Sequence, residues 1–143
     1  LLDRYYLDGL TDVECHLLPA PGAAAVRRDD DGVWHADWDD VDEDGTPPPA
    51  TAGWLSWHII WWLGNAIAEF EGRPLAPPND VEWPGSAVNT VAHLRALADR
   101  WAALLDGPID DLGRPTTFPW PDPAPLHRLI AWVNMELMKN ATG

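Results

Sequence analysis

Apolar residues recur at helical spacing in three long windows of the chain. After Pro84-Gly85, Ser86 is a good N-cap, and Val91, Leu94, Ala98, Trp101 and Leu105 follow three or four residues apart on one helix face. From about Pro125 onward, Leu126, Ile130, Val133 and Leu137 form a second stripe. The window from about Ala52 to Phe70 is apolar on nearly every side, as a buried helix is, and ends at Gly72-Arg73-Pro74. A shorter window, Leu1 to Asp8, closes at Gly9, and Thr11-Asp12-Val13-Glu14 reads as a capping box opening a helical turn. No convincing strand alternation appears, although residues 32–38 suit a small extended segment.

Proline draws the same boundaries. All 15 prolines fall outside residues 50–73, 85–107 and 126–143, and proline clashes and removes a donor inside a helix. The pattern predicts an all-α chain, an antiparallel four-helix bundle with long Pro-rich crossover loops, in one domain over residues 1–143. Leu1 already reads as mid-helix and a helical pattern is still running at Gly143, so both ends are expected to be trimmed.

Composition then limits the function. The formal net charge is −14, from 9 basic and 23 acidic residues. Nine of the acids crowd residues 29–44, within an acidic loop of about 29–50; outside that stretch 14 acids face 9 bases. The loop lacks the ligand spacing and fixed glycine of an EF-hand, and Trp34 and Trp38 are expected to pin it to the body. An acidic surface repels phosphate backbones and anionic lipid, so neither nucleic acid nor membrane is expected as a partner. No apolar run approaches the ~20 residues of a membrane span and no signal peptide is visible, so a cytoplasmic location is the expectation. The single cysteine, Cys15, excludes a disulfide framework and a cysteine-based zinc cluster, and nothing around it favours a thiolate.

Tryptophan is the unusual feature, with 10 residues against two Phe and two Tyr. Four of them, Trp54, Trp57, Trp61 and Trp62, share the 52–70 helix with His58. At 100° per residue, Asn65 and Glu69 lie within about 20° of His58, to either side. The helix thus presents a polar line framed by indoles. Read from spacing alone, His58 is either a hydrogen-bonded core histidine or the polar centre of a cavity walled by Trp54, Trp57, Trp61 and Trp62. Buried indole N–H groups need acceptors, which favours polar groups or water nearby. On the last helix, Asn140 falls near Val133 on the inward stripe and Glu136 borders it, while Lys139 turns about 120° away. His35, His93 and His127 suit surface or helix-end positions, and no nucleophile elbow, phosphate loop or dinucleotide fingerprint occurs.

Four stretches together carry a resemblance. They are Asp8-Gly9-Leu10-Thr11-Asp12 to Pro21-Gly22; Val26-Arg27 to Gly32-Val33-Trp34 with Ala36-Asp37-Trp38; Pro47-Pro48-Pro49 to Trp54 with Trp57-His58-Ile59; and Asn134-Met135-Glu136 to Lys139-Asn140. In this order the chain resembles the DinB-like (YfiT-like) four-helix superfamily, in its actinobacterial branch. The resemblance implies an antiparallel four-helix bundle, often a homodimer. It also implies a divalent metal, zinc or nickel, held by one histidine of the second helix and two of the fourth, and in some relatives a thiol-dependent transferase or isomerase activity. His58 matches the second-helix ligand. Where relatives carry fourth-helix histidines this chain has Lys139 and Asn140, and a further ligand position lies beyond Gly143. His58 and Asn140 alone make a poor zinc site.

The expectation is therefore a DinB-like protein with a degenerate metal site and no cofactor. Its Trp-lined cavity, with Asn65 and Glu136 as polar groups, would bind a small molecule or thiol adduct. One alternative is a metal-dependent thiol transferase or hydrolase using His58, with one zinc or nickel and an activated water. Another is a structural or dimerisation module without a site.

Overall fold

Hydroxyl caps set three of the helix starts. Thr11 caps α1 (Asp12–His16) through a complete capping box with Glu14. Thr51 caps α2 (Ala52–Glu71), its hydroxyl accepting from the Trp54 N–H at 3.1 Å. Ser86 caps α3 (Ala87–Asp106) by accepting from the Asn89 N–H at 3.1 Å. α2 stops where Gly72 turns left-handed at φ 72°, its N–H closing back on the Ala68 and Glu69 carbonyls. The last helix, α4 (Leu126–Thr142), starts directly from a short strand.

This computed structural model describes residues 7–38 and 49–142, with side chains through Lys139. The described chain is mostly helical, with four helices and two small antiparallel strand pairs. Most of the helix expected over Leu1–Asp8 and much of the acidic loop fall outside the described residues. β1 (Val26–Arg28) pairs with β2 (Trp34–Ala36), placing Arg27 opposite His35, and β3 (Pro115–Thr116) pairs with β4 (Ala124–Pro125). The extended segment expected within 32–38 is thus a strand; its partner at 26–28, three residues long, is too short to show alternation.

α2 is the organising element, and its residues enter two apolar clusters. Its N-terminal half packs Trp54 and Trp57 with Cys15 of α1, Val26 of β1, Trp83 and Ala87. Its C-terminal half packs Trp62, Leu63, Ala66 and Ile67 with Trp101 of α3, Phe118, and Leu126, Leu129 and Val133 of α4. The near-complete apolarity of this helix follows: it has neighbours on most sides. At Gly53 an added Cβ would stand 2.7 Å from the Cys15 carbonyl oxygen, so the crossing of α1 over α2 depends on glycine. The stripe of α3 is turned slightly from the expected one. Val91, Leu94 and Trp101 are buried, but Ala98 is exposed and Leu97 packs on the core in its place. Trp101 reaches the core one turn beyond Leu97, and its bulk sets which face points inward.

Candidate functional site

His58 sits in the N-terminal half of α2 in a group of indoles that the 3.6-residue repeat brings to one side. Its ring lies flat on Trp54, with centroids 5.0 Å apart and planes 14° apart. Trp61 stands 6.0 Å away, Trp38 6.4 Å and Trp57 6.5 Å. Trp38 arrives from the chain just beyond β2 and closes the group, 5.1 Å from Trp61 and 5.7 Å from Trp57. The pinning expected of Trp34 and Trp38 is visible here and in Trp34, which packs edge-on against Trp83 at 5.1 Å.

The indole N–H groups point away from this group, toward the irregular connections. Trp54 donates to the Asp37 carbonyl at 2.6 Å, Trp57 to the Val81 carbonyl at 2.7 Å and Trp61 to the Ala76 carbonyl at 3.1 Å. Their acceptors are therefore main-chain oxygens that no helix or strand uses. What remains facing His58 is ring surface. The imidazole makes no hydrogen bond among the described residues. Burial, with the Lys139 ammonium as the smaller cause, pushes its pKa down to about 4. His58 is thus neutral near pH 7, with one ring nitrogen a donor and the other an acceptor.

The other predicted residues fall in different surroundings. Asn65 is buried, and its amide is used up by one loop residue: Nδ2 donates to the Ala76 carbonyl at 2.9 Å and Oδ1 accepts from the Ala76 N–H at 2.8 Å. With Trp61 it lines a groove of about 280 Å³ between α2, α3 and the 73–81 connection. Trp62 turns to the other cluster, against Trp132 at 5.5 Å, and its buried N–H has no acceptor among the described residues. Glu69 accepts from the Thr117 N–H at 2.7 Å. Glu136 is half-buried and lies 3.7 Å from Lys139. The Asn140 side chain lies outside the described residues. The structure thus gathers His58 with Trp54, Trp57 and Trp61 and sets Trp62 apart.

Of two further residues near His58, one was not foreseen and the other was placed there by the resemblance but turned away by the wheel. Trp38 comes from a distant segment, which no helical wheel relates to α2. Lys139 is exposed, as the wheel required, yet its long side chain brings charge close enough to act on His58. Cys15 is fully buried, and burial followed by the Asp12 and Glu14 carboxylates pushes its thiol up to about 11, the reverse of a reactive thiolate.

Zinc or nickel needs several imidazole or thiolate donors around one point. Among the described residues no group of three His, Cys, Asp or Glu side chains converges, and the charge bearing on His58 is the Lys139 cation. The donors among the described residues do not by themselves fit the metal that the resemblance implies. No described helix is long and apolar enough to cross a membrane.

A family model described as the DinB superfamily matches residues 4–142. No curated protein and no solved structure matches the chain. With nearly the whole length covered, from before α1 to the end of α4, the chain belongs to the DinB superfamily.

Proposed function

We propose that this chain is a small-molecule binding protein built as an antiparallel four-helix bundle with Pro-rich crossover loops. Its metal position is degenerate, and the His58 group takes a small molecule or thiol adduct in its place. One observation carries the reading: a half-buried, neutral imidazole lies on the Trp54 face with no hydrogen-bond partner among the described residues. A buried polar group normally has a partner, so a ring in this position has bonding capacity to offer a ligand. Trp38 and Trp61, partly exposed and backed by the buried Trp54 and Trp57, supply flat apolar surface for an S-alkyl or aromatic substituent, and His58 supplies the polar contact. Glu136 pairs with Lys139 and in this reading orients a polar partner of the ligand.

The test follows the His58 ring nitrogens by NMR while S-benzyl-N-acetylcysteine is added to the full chain. Saturable shifts of those signals are expected, and calorimetric titration of His58→Phe with the same adduct is expected to show weakened binding. Purified protein carrying stoichiometric zinc or nickel that His58→Ala removes would instead identify the metal-dependent thiol transferase or hydrolase. Absence of any shift with the thiol adduct would leave a structural module.

A further inference from the structure

The groove between α2 and α3 has chemistry of its own, separate from His58, which does not line it. Its floor is apolar, formed by Ile60 and Ile67 of α2 and Leu97 of α3. Its rim carries the Arg73 and Arg100 guanidiniums and the His93 imidazole. Both guanidiniums converge on one carboxylate. Arg100 Nη2 stands 2.6 and 2.8 Å from the two Glu71 oxygens, and Arg73 Nη2 stands 2.9 Å from one of them. Two cations against one anion leave a single positive charge at this rim, in a chain whose formal net charge is −14. Each guanidinium has five N–H donors, so pinning by Glu71 orients the forks and leaves donors for a second oxyanion.

Gly64 gives an independent sign that the groove is kept open. It lies in mid-α2 and lines the groove, and a Cβ added there would meet nothing within 4 Å. No left-handed backbone and no close neighbour requires glycine at this position. Alanine would be the better helix former, so the glycine sacrifices helix stability and leaves floor space. The opposite wall is fixed, because the Asn65 amide and the Trp61 indole both hold the Ala76 backbone.

We propose that this groove is a binding site for a small monocarboxylate with an apolar body. The body rests on Ile60, Ile67 and Leu97 above Gly64, and the carboxylate takes the free donors of Arg73 and Arg100. A monoanion matches the single residual charge. The volume of about 280 Å³ is at the lower end for ligand pockets and suits a one-ring acid.

The experiment is calorimetric titration of the full chain with phenylacetate, 2-phenylethanol and phenyl phosphate, with the His93 and His58 ring signals followed by NMR. Phenylacetate is expected to bind saturably and shift His93 but not His58. The alcohol is expected to bind at least about tenfold more weakly, as is phenylacetate to Arg100→Leu. Gly64→Leu is expected to abolish binding. Gly64→Ala should raise the melting midpoint while weakening binding, which separates a filled groove from a damaged fold. Equal affinity for acid and alcohol, binding untouched in folded Gly64→Leu, or no binding of phenylacetate up to about 10 mM overturns the proposal. Tighter binding of phenyl phosphate than of phenylacetate overturns the monocarboxylate assignment.

Discussion

His58 couples a single side chain to the stability of the fold. Burial disfavours the imidazolium, so the folded ring titrates near 4 against 6.5 in a free chain. Between those values the unfolded chain binds the proton more readily. Stability is therefore fully present above about pH 6.5 and declines as pH falls toward 4, by at most about 3 kcal/mol. Urea midpoints measured across this range should fall in the wild type and fall less steeply in His58→Gln; parallel curves would remove His58 as the cause. Gly53 makes a second prediction at this scale. An alanine methyl there meets the Cys15 carbonyl and the Val26 side chain, at 2.7 and 2.9 Å, and a helix backbone cannot step aside cheaply. Gly53→Ala should cost about 1–3 kcal/mol in denaturant unfolding. His58 was legible in the sequence because it interrupts an apolar helix among indoles. The nearness of Lys139 was legible from the family resemblance but not from the wheel, which gives the direction of a Cβ and says nothing of how far a four-carbon stem reaches.

At the level of elements, α2 does more than fill the core. Its indoles and Asn65 hold connections that make few main-chain hydrogen bonds themselves. The Asn65–Ala76 pair closes two hydrogen bonds on one loop residue, and Asn65→Ala leaves the Ala76 N–H without its partner and the Ala76 carbonyl with only the Trp61 indole. Unfolding should become easier by roughly 1–3 kcal/mol, and amide exchange should quicken across residues 73–81 before it quickens in α3. An exchange pattern unchanged in that stretch would mean the loop is held by its other contacts. The long helices were legible because prolines outline them and Thr51, Gly72 and Ser86 mark their ends. The strand pairs were not, since two- and three-residue strands carry no periodicity. The groove was equally hidden: His93 and Arg100 share one face of α3, but Arg73 lies beyond the end of α2 and joins them only when α3 packs beside α2.

Across the whole molecule, charge and tryptophan dominate. A formal net charge of −14 repels itself in the compact state, and added salt screens that repulsion. The melting midpoint should climb as sodium chloride rises from about 0.01 to 0.15 M, a range over which the screening length shortens to about 8 Å; a flat or falling midpoint would show that the acids are already locally balanced. The family was legible from ordered motifs spread along the chain, and the match over residues 4–142 agrees. Which side chains share a pocket was not, because no stretch of sequence states how the helices pack. The tryptophan anchors have one more consequence. Trp57 and Trp61 grip the carbonyls of Val81 and Ala76, and a carbonyl is the one group that every amino acid provides. Those two hydrogen bonds are therefore indifferent to side-chain identity at the two points, and they fix the loop's path through its backbone alone. The helix that grips it has no such freedom, since no other residue combines that breadth of ring with an N–H at its edge.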